Sequence, residues 1–67
     1  MPTNLFVSIE DLFEKGYINE DTLEDEDLLY KALDNYLTDE YGDNFGFEID
    51  DRDSEFVYVA NIDWVED

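Results

Sequence analysis

The sequence contains no cysteine and no histidine, and only three of its 67 residues are lysine or arginine. Without cysteine and histidine there is no disulfide, thiol nucleophile or imidazole base, and the usual zinc and haem ligands are missing. Lys15, Lys31 and Arg52 are too few for a basic patch, so phosphate backbones and anionic lipids should repel the chain. We therefore expect no enzyme, no cofactor or metal, and no direct binding to nucleic acid or membrane.

Long apolar runs are also missing. The longest, Phe56 to Ala60, is far shorter than the ~18 residues that a membrane-spanning helix requires. No basic segment leads into an apolar stretch near the N-terminus, as it would in a secretory signal. We therefore expect a cytoplasmic protein that forms one domain over residues 1–67, too small to enclose an active-site cavity.

Acidic residues are abundant, because 21 Asp and Glu give a formal net charge of −18. Such a charge is common in disordered chains. However, Leu, Ile, Val and Phe together number 20 of 67 residues, above the ~20% below which a chain cannot build a core. Aromatic residues, at 16%, add large buried areas per residue. The chain is therefore expected to fold.

A first helix is predicted over residues 8–15. Ser8 with Asp11 three residues later matches an N-cap and its third helical position, where side chains satisfy free backbone N–H groups. Gly16 suits the left-handed conformation that ends many helices.

A second helix is predicted to start at Asn19 or, alternatively, at Thr22, since both are capping residues, and to end near Gly42. Its apolar stripe has helical spacing and comprises Leu29, Leu33, Tyr36 and Leu37.

Beyond Gly42 the apolar period changes to two. A strand is predicted from Phe45 to Ile49, a polar hairpin turn over residues 50–54, and a second strand over Phe56 to Ile62. In the second strand we expect one face to hold Phe56, Tyr58, Ala60 and Ile62 and the other to hold Val57 and Val59. Apolar residues on both faces suggest that helices cover one side and another surface covers the other.

Two further segments are expected to join the sheet: residues 3–7 as a short third strand, and Trp64 with Val65 returning onto it. The predicted fold is thus α+β, with two helices packed on a β-hairpin or small antiparallel sheet. We expect the chain to be a monomer or a homodimer formed through the sheet. The aromatic residues Phe45, Phe47, Phe56 and Tyr58 are expected in the core or a dimer interface.

The acidic residues are the candidate partner-binding residues. Helical carboxylates three or four residues apart lie ~5–6 Å from each other, so the second helix is expected to carry a rigid row of negative charge. A protein that grips phosphates with Lys and Arg would also accept carboxylates at similar spacing. The candidates are Glu20, Asp21, Glu24, Asp25, Glu26, Asp27, Asp34, Asp39, Glu40, Asp50, Asp51 and Asp53, with Tyr41 and Trp64 as aromatic anchors.

In these acidic clusters, its size and its charge, the whole chain resembles the DNA-mimic proteins of bacteriophages. These are small acidic inhibitors of restriction, repair, nucleoid, transcription or CRISPR-type proteins. The resemblance implies competitive occupancy of the groove of a basic nucleic-acid-binding protein in the host cytoplasm, without catalysis.

Other interpretations stay open. The chain would also suit an immunity or antitoxin-like protein that neutralises a basic nuclease, an acidic protein-interaction domain, or the ordinary surface of a halophilic protein. Weak divalent-ion binding by the hairpin carboxylates is a further alternative. The EF-hand pattern itself fails there, because loop positions six and twelve, counted from Asp51, are Phe56 and Ile62.

Overall fold

A computed structural model describes residues 3–65 of the chain. The elements in order are β1 (Thr3–Ser8), α1 (Ile9–Glu14), α2 (Glu20–Glu24), α3 (Glu26–Glu40), β2 (Asn44–Arg52) and β3 (Phe56–Trp64). The three strands form one antiparallel sheet in the order β1-β3-β2. The α+β class and the short N-terminal strand are confirmed.

The first helix begins as its sequence predicts. The backbone N–H of Asp11 donates to Ser8 Oγ at 3.4 Å, which makes Ser8 the N-cap of α1. Gly16 has a φ of +81°, the left-handed region that glycine adopts without strain. There the backbone N–H of Tyr17 donates to the carbonyl of Leu12 at 2.9 Å and closes the helix end.

The segment expected to form one second helix is divided at Asp25. Asn19 caps α2, because its Oδ1 accepts from the N–H of Thr22 at 3.0 Å and Thr22 Oγ1 accepts from the N–H of Asn19 at 3.1 Å. Asp25 then adopts an extended backbone, and its carboxylate accepts from the N–H of Asp27 at 3.0 Å. Asp25 therefore caps a new helix, and the structure has three helices instead of two.

One hydrophobic core lies between the helices and the sheet. The apolar stripe predicted on α3 faces this core, with its leucines buried and Tyr36 packed at the edge. Burying one such side chain stabilises the fold by about 1.5–3 kcal/mol. The fully buried side chains are Leu12, Leu29, Leu33, Leu37, Val57, Val59 and Ile62.

An aromatic contact fixes α3 against β2. The rings of Tyr30 and Phe47 stack with their centroids 4.2 Å apart and nearly parallel planes. The backbone N–H of Phe47 also donates to the Tyr30 hydroxyl at 3.3 Å. The acidic residues of α3 are therefore held at a defined position relative to the sheet.

A bulge in β3 changes one predicted face. The prediction that Ile62 shares a face with Tyr58 is wrong, because Ile62 is fully buried in the same core cluster as Val59, three residues earlier. Asn61 adopts a left-handed conformation, with φ of 56°, and shifts the alternation by one residue. Its backbone N–H donates to Asn4 Oδ1 at 3.0 Å, so the bulge is tied to β1.

Candidate partner-binding surfaces

The predicted acidic residues are all exposed, and the largest group surrounds the junction of α2 and α3. Six of the eight residues from 20 to 27 are acidic, whereas Thr22 is buried and Leu23 half-buried. Two helix starts within a few residues place these carboxylates on successive short turns. We name this group the acidic elbow; it comprises Glu20, Asp21, Glu24, Asp25, Glu26 and Asp27.

The later carboxylates of the row expected along α3 form contacts with other elements. Asp34 accepts a hydrogen bond from Asn44 Nδ2 at 3.2 Å, at the start of β2. Asp39 accepts from the Tyr17 hydroxyl at 2.7 Å. Glu40 forms an ion pair with Lys15 at 2.8 Å. Within residues 3–65, the densest free carboxylates are therefore those of the acidic elbow.

The contacts near the end of α3 also shift two pKa values. The hydrogen bond to Glu40 raises the pKa of Lys15, and the hydrogen bond to Asp39 raises the pKa of Tyr17, since each favours the protonated donor. Both groups are solvent-exposed, so they add little to stability. They link the end of α1 to the end of α3.

Each helix ends on a glutamate: Glu14, Glu24 and Glu40. The last turns of all three helices carry no basic residue. A carboxylate at a helix C-terminus meets the negative end of the helix dipole, an interaction of about 0.3–1 kcal/mol in the unfavourable direction. Glu24 also lies directly before Asp25, the N-cap of α3, where a carboxylate is favourable. Helix stability therefore does not account for Glu14 and Glu40.

The hairpin loop lies beside α2. Asp50 and Asp51 belong to β2, and Asp53 lies in the loop between β2 and β3. The loop and α2 flank a groove of about 400 Å³ that Leu23 and Asp53 both line, together with Arg52. The structure thus brings the hairpin loop close to α2, although none of the elbow carboxylates lines this groove.

Asp53 also shapes the hairpin loop. Its Oδ1 accepts hydrogen bonds from the backbone N–H groups of Glu55 and Phe56, both at 2.7 Å. These two donors stabilise the charged carboxylate and lower the pKa of Asp53. Asp51 Oδ1 similarly accepts from the backbone N–H of Arg52 at 2.8 Å.

The two predicted aromatic anchors differ in exposure. Tyr41, directly after α3, is 57% exposed. Trp64 is half-buried and packs against the core, with its ring centroid 5.8 Å from that of Tyr41. Tyr41 is therefore accessible to a partner, whereas Trp64 mainly completes the core. Trp64 is the last residue of β3, so the strand continues to it, and the expected return of the chain onto the sheet at this residue is wrong.

An aromatic surface on the opposite side of the sheet was not among the predicted site residues. It comprises Phe6 of β1 with Phe56 and Tyr58 of β3, and we name it the aromatic face. Phe6 is 70% exposed, and its ring centroid lies 4.7 Å from that of Tyr58 and 6.4 Å from that of Phe56. The alternation of residues in β1 and β3 could have indicated which rings share a face of each strand. Only the strand order places these rings beside each other.

Four aromatic residues of β2 and β3 were expected in the core or in a dimer interface. One of the four lies in the core. Phe47 is buried, whereas Phe45 is 74% exposed. Phe56 is 42% exposed and Tyr58 half-buried, both on the aromatic face and outside the core cluster.

Within residues 3–65, no three acidic side chains converge in a way that would hold a metal ion. No helix in the same range is long and apolar enough to cross a membrane. Comparisons with protein-family models, with curated proteins and with solved structures find no match to the chain.

Proposed function

We propose that the protein is a DNA-mimic inhibitor that occupies the nucleic-acid-binding groove of a basic host protein. The density of exposed carboxylates carries this proposal. Of the 21 Asp and Glu, all but Glu66 and Asp67 belong to the described residues, and the long axis of the molecule is 35 Å. There is thus about one carboxylate per 1.8 Å of length, close to the roughly 1.7 Å per charge of duplex DNA.

The dimensions of the molecule support the same proposal. One turn of duplex DNA is about 34–36 Å long, and the molecule measures 35 × 21 × 18 Å. The whole molecule therefore carries a similar number of negative charges over the same length as one turn of duplex DNA. Arginine pairs with carboxylates and phosphates through the same bidentate hydrogen bonds.

The placement of the charges gives a second line of support. The hairpin loop and α2 flank one groove, so Asp53 and the acidic residues of α2 belong to neighbouring elements. Carboxylates at the C-termini of α1 and α3 oppose the helix dipoles, which is a cost that folding alone does not require. Recognition of a cationic partner explains these carboxylates.

The mechanism follows from electrostatics. The field of the acidic surface accelerates encounter with a basic groove, as complementary charge does at other interfaces. Carboxylates then replace phosphates on the Lys and Arg residues of the partner, and exposed aromatic residues set the register. Inhibition consists of occupancy alone.

The test is capture of a partner followed by competition with DNA. The immobilised chain is incubated with bacterial lysate, and bound proteins are eluted with duplex DNA. We expect basic nucleic-acid-binding proteins in the DNA eluate. If DNA displaces none of the captured proteins, the chain is an ordinary interaction or immunity module and the proposal is wrong.

A matched pair of variants then locates the contact on the purified target. The elbow variant carries Glu20→Gln, Glu24→Gln and Asp27→Asn, and its control carries Glu10→Gln, Glu48→Gln and Asp63→Asn. Both variants lose three negative charges from exposed positions. We expect at least a tenfold weaker affinity for the elbow variant and less than a threefold change for the control. Equal losses would contradict a contact at the elbow.

A further inference from the structure

Aromatic rings and carboxylates meet in one shallow pocket on the side of the sheet away from the helices. Phe6, Phe56 and Tyr58 supply the rings, and Asp51 and Asp53 supply the carboxylates, around a volume of about 40 Å³. Strand pairing explains this arrangement, because Tyr58 on the central strand lies opposite Phe6 on one side and Asp51 on the other.

The rings are held in place and still accessible. Phe6 meets Tyr58 and Phe56 edge-on, with interplanar angles of 68° and 81°. These contacts orient the ring of Phe6, yet 70% of the residue remains exposed. The face of an aromatic ring carries negative charge density and attracts a cation placed above it.

The two carboxylates are also positioned with one oxygen available. Asp51 and Asp53 each use Oδ1 to accept backbone N–H groups. No hydrogen bond within residues 3–65 involves Oδ2 of either residue. Both side chains are therefore fixed by the hairpin while they retain an acceptor for a ligand.

We propose that this pocket receives an arginine side chain of the partner, with the guanidinium stacked on Phe6 and hydrogen-bonded to Asp51 and Asp53. The inference deepens the proposed function and rests on it for the basic character of the partner. Charge complementarity selects a cation. The planar guanidinium is preferred to an ammonium because it stacks on aromatic rings, is more weakly hydrated and bonds carboxylates bidentately.

The chain's own Arg52 also lines the pocket. In the described part of the chain, the ion pair within 4 Å is that of Lys15 with Glu40, so Arg52 neutralises neither Asp51 nor Asp53 at that distance. Arg52 instead places a like charge beside an incoming guanidinium. Its removal should therefore strengthen binding, which an incidental cation site elsewhere on the surface would not show.

The first experiment is an NMR titration of the full ¹⁵N-labelled chain with N-acetyl-L-arginine amide. We expect the largest amide shift changes at Phe6, Phe56 and Tyr58. The variant Asp51→Asn/Asp53→Asn keeps both Oδ1 acceptors and should bind at least threefold more weakly. Its matched control, Asp21→Asn/Asp27→Asn, removes the same charge from the acidic elbow and should change affinity less than 1.5-fold.

Three further measurements sharpen the assignment. Phe6→Ala should weaken binding by about two- to fivefold, the usual range of an exposed cation–π contact. Arg52→Gln should strengthen it at least twofold, and N-acetyl-L-lysine amide should bind at least threefold more weakly than the arginine probe. Shift changes spread over the acidic elbow, or equal losses in the two double variants, would overturn the proposal.

The titration contains no nucleic-acid-binding protein, so it separates the two proposals. If arginine binds at the pocket but DNA displaces no captured protein, DNA mimicry is rejected and the arginine pocket is supported. If DNA displaces captured proteins but arginine does not bind at the pocket, the arginine pocket is rejected and DNA mimicry is supported.

Discussion

The helical side of the molecule and the aromatic face of the sheet differ in how they meet solvent. All three helices carry acidic residues in their first turns and end on a glutamate. By contrast, β1 has no charged residue, and its Phe6 is among the most exposed apolar side chains. The helical side presents a high density of negative charge, and the aromatic face presents exposed aromatic rings.

In the proposed function, the two surfaces would contribute to recognition in different ways. Charge acts over several ångströms and raises the rate of encounter, whereas a ring contributes only in direct contact. Both surfaces also depart from what stability favours, since glutamates oppose helix dipoles and large rings stay exposed. The core between them supplies the free energy of folding.

The largest expected effect comes from breaking the core that joins the two surfaces. Leu33 is fully buried on α3. Leu33→Ala should lower the free energy of unfolding by about 2–5 kcal/mol, because it removes apolar contacts and leaves a cavity. Urea unfolding measures this, with the exposed Lys31→Ala as the control, expected within about 0.5 kcal/mol of the original chain. A loss below 1 kcal/mol would contradict helices packed on the sheet.

A smaller effect is expected at the bulge that decides which residues reach the aromatic face. Asn61 has a φ of 56°, which a β-branched residue adopts only with strain. Asn61→Val should cost about 1–2 kcal/mol in thermal or urea unfolding, while Asn61→Gly keeps the backbone conformation and should cost less. If the two variants were equally stable, the left-handed bulge would be absent in solution.

The helical charges allow a change that raises stability. Glu14→Lys at the end of α1 should stabilise the protein by about 0.5–1 kcal/mol, because a cation suits the helix C-terminus. Glu10→Lys in the first turn of α1 makes the same change in net charge and is the matched control. The difference between the melting temperatures of the two variants isolates the dipole effect, and this difference should shrink at high salt. A more stable Glu10→Lys variant would contradict the assigned ends of α1.

The smallest expected effect is a pH dependence at Asp53 beside the aromatic face. The backbone N–H groups of Glu55 and Phe56 hold the folded pKa of Asp53 below the usual aspartate value. The charged carboxylate therefore contributes stability above the unfolded pKa, and this contribution is lost as the pH falls through the folded pKa. Asp53→Asn keeps the Oδ1 acceptor without the charge. The stability difference between the two chains should therefore narrow from pH 6 to pH 3 in urea unfolding. A constant difference would contradict the lowered pKa.

Local patterns predicted much of the fold. The cap at Ser8, the turn at Gly16 and the apolar stripe of α3 all depend on residues within a few positions of each other. The same local logic failed at Asp25, because several capping residues occur close together and the sequence does not show which of them starts a helix. The division of the second helix was therefore missed.

The candidate surfaces were harder to predict for the same reason. The partners of Asp39 and Glu40 lie 22 and 25 residues away, at Tyr17 and Lys15. Contacts between residues so far apart in the sequence cannot be read from a helical pattern, so they were not predicted. The aromatic face likewise needed the order β1-β3-β2, which places Phe6 beside Tyr58.

The sequence by itself determined the charge of the protein, its α+β class and most of its local structure, because composition and short-range hydrogen bonds are independent of the rest of the chain. The tertiary structure alone decided that the hairpin loop lies beside α2 and that Phe6 joins the rings of β3. Those juxtapositions depend on strand order and register, which arise only when distant segments share one core.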